Sequence, residues 1–258
     1  MDINNVKNHW YADIYEQQEN QTYDVELLLS IIGCEPKNIL EVCCGGGRIL
    51  VPLGKAGHNA YGFDMDDEMM AKIPKKTDGL KNIKFYKADA ITSDWSKTYD
   101  IVVLAGNIMI NIVTDMVYKD AQRLFIQKAA DCLKVGGYIY LDFNLFLHPE
   151  KFFNSTVEWV HFDGTDDNGI YGRYIGLGGA YDTETQMSSG KNRTELTLSN
   201  GEKYFFENKS TKHIPSLKNI HDWFYEVGFV VEQEYGDYEK NPISENTCRA
   251  IIYARKVK

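Results

Sequence analysis

The chain has 258 residues, 43% of them hydrophobic, and a formal net charge of −9. That length suits one α/β domain with an elaboration, and the acidic balance speaks against a nucleic-acid polymer as substrate, because phosphate contacts need clustered Lys and Arg. No opening segment has the basic start and apolar core of a signal peptide, no apolar run is long enough for a bilayer, and the five cysteines form no C-x-x-C pair, so a cytoplasmic protein with reduced thiols and a small-molecule partner is expected, with no membrane association.

Residues 8–30 read as two helices. The first carries Trp10, Tyr11, Ile14 and Tyr15; the second carries Leu27, Leu28, Ile31 and Ile32 at helical spacing. The next stretch, N-I-L-E-V-C-C-G-G-G-R-I-L-V-P-L-G-K-A-G-H-N-A-Y-G-F-D-M-D, organises the chain. Residues 39–42 form a short apolar run of the kind found in a buried parallel strand. Gly45, Gly46 and Gly47 follow, then a helix over 48–55, then a second strand over 59–63 that ends at Asp64. In doubly wound folds this unit binds an adenosine-containing ligand. The glycines remove side chains where a ligand must approach backbone, the helix start leaves N–H groups free, and Asp64 can accept both hydroxyls of a ribose. A dinucleotide site wants G-x-G-x-x-G, whereas Leu50 stands at the third glycine position and Glu41 would repel a pyrophosphate. A phosphate-free cationic nucleoside, S-adenosylmethionine, fits better. The plainer reading is a structural turn without a ligand.

A short helix over 66–73 stops at Pro74. Met65, Met69 and Met70 can wall an adenine ring or simply fill core. The third strand, 83–88, ends at Asp89-Ala90-Ile91, where an acid suits the adenine amino group or caps a turn. The fourth strand, 99–104, ends at Leu104 and leads into A-G-N-I-M-I-N. Asn107 and Asn111 then lie at the carboxyl end of the sheet, where they face the reacting methyl and the substrate or cap the next helix. A long amphipathic helix over 117–133 is expected to stop at Val135-Gly136-Gly137, before a fifth strand over 138–143. From 155 to 212 short alternating runs separated by Gly, Asn, Asp and Ser predict an antiparallel meander. A final helix over 213–227 and strands over 229–235 and 248–255 close the chain. After the fifth strand come Asn144, His148 and the aromatic group Phe146, Phe152 and Phe153. His148 is read as acid, base or substrate contact, against an exposed loop residue before proline. Arg173 binds an anionic substrate group or pairs with a surface Asp. No His/Cys cluster shows metal-ligand spacing, so no metal is expected.

E-V-C-C-G-G-G resembles the first motif of class I S-adenosylmethionine-dependent methyltransferases, with Cys43 at the usual first glycine, and G-F-D-M-D resembles the second. Asp89 matches the third motif, L-K-V-G-G-Y-I-Y-L-D-F the signature after the long helix, and V-G-F-V-V-E…C-R-A-I-I-Y-A-R-K the antiparallel close. The segment A-D-I-Y-E…Y-D resembles the lid of sugar-amine N,N-dimethyltransferases, and small-molecule N-methyltransferases of the sugar-amine and glycine type are nearest in pattern. The resemblance implies an α/β, Rossmann-like doubly wound class I methyltransferase sheet with an antiparallel β insertion before the last helix. It divides the chain into a helical lid (1–36), a core (37–150 and 213–258) and a substrate-side insertion (151–212). It places S-adenosylmethionine, leaving as S-adenosylhomocysteine, on Tyr15, Glu41, Cys43, Gly45, Gly47, Arg48, Asp64, Met65, Met69, Asp89, Ala90, Ile91 and Leu104, with Tyr15 closing over the methionine part. Asn111, Asn144 and Arg173 would hold the substrate, and His148 and Asn107 would serve the reaction. Transfer to an amine nitrogen of a small molecule is expected, with O-methylation and a non-catalytic cofactor-binding domain as alternatives and a homodimer as one admissible assembly. A nicotinamide-dependent oxidoreductase is disfavoured by the missing third glycine, by Glu41 and by the lack of a Tyr-x-x-x-Lys pair.

Overall fold

The computed structural model describes residues 2–77, 79–95 and 98–258. In chain order the elements are α1 (Ile3–Gln18), α2 (Tyr23–Ile32), β1 (Asn38–Val42), α3 (Leu50–Lys55), β2 (Asn59–Asp64), α4 (Asp67–Met70), β3 (Ile83–Lys87), β4 (Tyr99–Leu104), α5 (Ile108–Asn111), α6 (Tyr118–Cys132) and β5 (Leu133–Asn144). They continue as α7 (Pro149–Phe153), β6 (Trp159–Thr165), β7 (Tyr171–Asp182), β8 (Met187–Thr197), β9 (Lys203–His213), α8 (Leu217–Glu226), β10 (Phe229–Tyr235) and β11 (Arg249–Lys256). The chain forms two compact units: one holds the residues up to Gln21 with His148–Ile214, the other Thr22–Leu147 with Pro215–Lys258. The segment grouped as 1–36 is therefore shared, α1 going to the first unit and α2 to the second.

The second unit is built on a seven-stranded sheet of order β10-β11-β5-β4-β1-β2-β3. β1 pairs in parallel with both β2 and β4, and β4 with β5. β11 runs antiparallel between β5 and β10. Four of the five β1 residues are buried, as a strand walled on both faces must be. The chain leaves β1 toward β2 and β3, then returns to its other side as β4. That reversal puts the ligand crevice of such a sheet at the carboxyl ends of β1 and β4. Leu28, Ile39, Leu50, Leu53, Ile101, Val103 and Tyr140 lie in the core below it.

The ends of the long helix and the start of the last one differ from expectation. The long helix ends at Cys132, and Leu133 is already extended (φ −90°, ψ 141°), opposite Tyr99 of β4. Gly136, at φ 83°, accommodates the irregular start of β5 instead of capping the helix. The last helix begins at Leu217, not at 213: His213 still pairs with Met187 in the sheet, and Ser216 and Asn219 form a reciprocal capping box.

The first unit is the expected meander, a four-stranded antiparallel sheet of order β6-β7-β8-β9, with α1 laid on it. The Asp2 side chain accepts from Asn4 N–H and starts α1 earlier than the apolar pattern suggested. Trp10, fully buried, packs with Ile14, Ile170, Leu196 and Leu198. Its indole N–H donates to Gly164 O at 3.1 Å, and Gln18 donates to Asp163 O at 2.7 Å. Gly172 makes room for the indole, since a Cβ there would stand 2.4 Å from Trp10 Cε2.

Candidate functional site

The turn after β1 is fixed by β2. Cys44 N–H donates to Phe63 O (3.0 Å) and Gly47 N–H to Cys44 O (2.8 Å). Cys43, Gly45 and Gly47 have φ of 56°, 49° and 77°, in the left-handed region that glycine enters without penalty. Cys43 adopts it with a side chain. The Asp64 carboxylate is held by two backbone donors, Gly45 N–H on Oδ2 (2.8 Å) and Asp66 N–H on Oδ1 (2.9 Å). It is therefore an oriented, nearly buried acid at the end of β2. Burial pushes the Cys43 and Cys44 thiols well up, with Asp64 and Glu41 adding to it. Both stay neutral and serve as packing residues, not nucleophiles.

Glu41 is 6% exposed, and its Oε2 is buried and accepts no hydrogen bond. Burial raises its pKa well above the ordinary carboxylate range, against the opposing pull of Arg48 and of Leu50 N–H. Arg48 itself grips Asp24 with two parallel hydrogen bonds of 2.7 and 2.6 Å. Because the folded pKa of Glu41 is raised, the folded chain holds a proton that the unfolded chain releases near pH 4.3, so stability falls as pH rises above that value. Glu41→Gln is expected to raise the melting temperature of the ligand-free protein at neutral pH by a few degrees and to flatten this fall. Melting curves recorded from pH 4 to 8 check it, and an unchanged slope would remove Glu41 as its source.

The segment after β3 is clamped. Asp89 Oδ1 accepts from Ile91 N–H (2.7 Å) and Thr92 N–H (3.2 Å), the turn-capping arrangement. Lys128 of α6 donates to Ala90 O, Ile91 O and Ser93 O at 3.0, 2.5 and 2.8 Å. Met65 is exposed, Met69 brings its Cε within 3.2 Å of a Cβ placed on Gly45, and Met70 is core. The Met69 methyl thus borders the glycine turn.

At the carboxyl end of β4, Leu104 is fully buried. Asn107, at φ 64°, accepts Asn144 N–H on its Oδ1 (2.6 Å). Asn144 Oδ1 accepts from Arg249 (2.8 Å), which also donates to Asp142 Oδ1 (2.5 Å), while Tyr238 O–H donates to Asp142 Oδ2 (2.9 Å). The side-chain oxygens of Asn107 and Asn144 thus tie β4, β5 and β11 together. Asn111, at the end of α5, is exposed.

Three predicted site residues belong to the first unit. Tyr15 is half-buried, its ring 6.0 Å from Phe162 and 6.5 Å from Tyr11. His148 is 62% exposed, with Nδ1 3.6 Å from Glu150. Arg173 pairs with Asp163 (3.3 Å) and Glu195 (3.6 Å). Sequence reasoning missed Asp24, Lys128, Asp142, Tyr238 and Arg249. The signal for Asp142 was available: an acid inside the apolar run Tyr140–Leu141–Asp142–Phe143 needs a partner.

Residues 39–137 match the family described as methyltransferase domain. A protein of Geobacillus sp. (strain WCH70) named as a methyltransferase is 21% identical over 222 residues, spanning 85% of both chains. Among solved structures, an S-adenosylmethionine-dependent methyltransferase from Clostridium acetobutylicum ATCC 824 superposes with a TM-score of 0.73 at 16% identity, over 96% of this chain and 98% of that one. The sugar N-methyltransferase KedS8 from Streptoalloteichus sp ATCC 53650 gives 0.68 at 14% identity, over 94% and 91%. These structural likenesses bear on the fold.

Proposed function

We propose, for a chain that carries an S-adenosylmethionine-dependent methyltransferase domain on the class I fold, that the methyl acceptor is a small molecule and the receiving atom an amine nitrogen. The observation that carries the cofactor's placement is the pair of acids flanking the glycine turn. Asp64 is pre-oriented by two backbone N–H groups, and Glu41 keeps a buried oxygen without a hydrogen-bond partner. A ribose diol suits the first; the ammonium of the methionine part can donate to the second, and its positive charge would favour the ionised form of a carboxyl that burial otherwise keeps protonated. The neighbouring cations are already engaged, Arg48 with Asp24 and Lys76 with Gly46 O, so the turn offers nothing extra to a pyrophosphate. Asp89, with Ala90 and Ile91 whose carbonyls Lys128 holds, would border the adenine together with Met65 and Met69.

The bound sulfonium supplies a good leaving group, so the protein's part is to orient and to exclude water. An amine needs only to arrive unprotonated and asks for no general base. That agrees with His148 lying exposed beside Glu150. The likeness to a sugar N-methyltransferase and the acidic charge of the chain support a small amine over a nucleic acid. Incubating the protein with S-adenosylmethionine and matched amino and hydroxy sugars, and following S-adenosylhomocysteine by mass spectrometry, tests this. Turnover with the amino compounds is expected; turnover confined to hydroxyl acceptors or to RNA would overturn the acceptor assignment.

A further inference from the structure

The first unit buries two carboxylates in one place. Asp13 lies on α1, and Asp166 opens the four-residue turn Asp166-Asp167-Asn168-Gly169 between β6 and β7. They are 3% and 5% exposed. His9 stands one helical turn before Asp13, on the same face, with its Nε2 3.5 Å from Asp13 Oδ2. One donor atom from each of His9, Asp13 and Asp166 falls within 4.8 Å of the others. Asp13 Oδ2 also accepts from Asp167 N–H (3.1 Å). Asp166 Oδ1 accepts from Asn168 N–H (2.9 Å) and Ile170 N–H (2.8 Å), which fixes the carboxylate on its turn. Asp166 Oδ2 is buried and accepts no hydrogen bond.

Two buried carboxylates this close call for a positive charge beside them. Asp166 Oδ2, a buried acceptor with no donor in a cluster of two carboxylates and an imidazole, is the atom that a bound cation would satisfy. The donor set is one nitrogen and two oxygens with no sulfur, which selects a divalent first-row metal such as Mn2+ over soft, thiolate-seeking ions. Donor atoms about 2.1 Å from such a metal stand roughly 3.0–3.4 Å apart, so the His9–Asp13 spacing is already close to that of a ligand pair. We propose that His9, Asp13 and Asp166 bind a divalent metal ion that staples α1 to the β6–β7 turn, with water filling the other coordination positions. This replaces the expectation of no metal. Spacing along the sequence could not show it, because Asp166 lies more than 150 residues from its partners.

Mn2+ alone is the probe, since the five cysteines of the chain would compete for softer metals. The chelator-treated full chain is titrated and free Mn2+ is followed by electron paramagnetic resonance. One bound Mn2+ per chain is expected, with a rise in melting temperature. Asp166→Asn, which keeps the turn's acceptor, and His9→Ala, at a part-exposed position, should each weaken binding at least tenfold and abolish the thermal rise. Circular dichroism of both variants reports whether they fold. The proposal is overturned if the wild type leaves Mn2+ free at millimolar concentration, or if both folded variants bind as the wild type does.

Discussion

Replacing Asp64 by alanine is expected to weaken S-adenosylmethionine binding by more than tenfold in titration calorimetry, a loss of at least about 1.4 kcal/mol. The loss has two sources. A carboxylate that accepts from a ligand hydroxyl contributes on the order of 1.5–3 kcal/mol through charge-assisted hydrogen bonds. The same carboxylate also holds Gly45 N–H and Asp66 N–H, so the variant releases the turn on one side and the entry to α4 on the other. Asp64→Asn keeps an oxygen for one of these donors and should lie between alanine and the wild type. If the alanine variant folds and binds as the wild type does, Asp64 is a turn-maker only and the ribose is held elsewhere.

Arg249→Ala is expected to cost roughly 3–5 kcal/mol of stability, the range for removing one partner of a buried ion pair. Asp142 has a side chain only 1% exposed and Arg249 one of 22%. With the guanidinium gone, Asp142 keeps Tyr238 as its one described donor, and Asn144 loses the donor on its Oδ1. Urea unfolding of the single variant measures the cost. Removing both charges together, as Asp142→Asn with Arg249→Met, should recover much of it, because no buried charge is left alone. A single variant that loses less than about 1 kcal/mol would mean that solvent reaches Asp142 readily and that the pair behaves as a surface one.

The parts legible in the sequence were those that local chemistry dictates. The apolar run Ile39–Leu40, the three glycines and the acid at Asp64 define strand, turn and strand without reference to the rest of the chain. The alternation in residues 155–212 likewise gave the meander of β6 to β9. What stayed hidden depended on distant partners. Gly136-Gly137 has the composition of a helix stop, yet Leu133 finds Tyr99 of β4 first, and the strand wins the glycines. Asn107 sits where a ligand-facing residue is expected, but its side-chain oxygen is taken by Asn144 N–H, 37 residues away. Arg48 follows the glycines like a ligand contact, and its guanidinium goes to Asp24, 24 residues upstream. Arg173 shows the same effect through Asp163 and Glu195. A motif names a place in the fold; only the tertiary neighbours decide what each polar atom there has left to offer.

The bond from the Trp10 indole to Gly164 O joins residues 154 positions apart, and it carries a kinetic consequence. Closing so long a loop costs about 2 kcal/mol more chain entropy than closing one a tenth as long. All of β1 to β5 lies inside that loop, in the other compact unit. A growing polypeptide therefore completes the strands that frame the glycine turn well before its first helix has a sheet to settle on. Until then Trp10 and Ile14 have no core, and the nascent chain must be kept from aggregating through that apolar stripe.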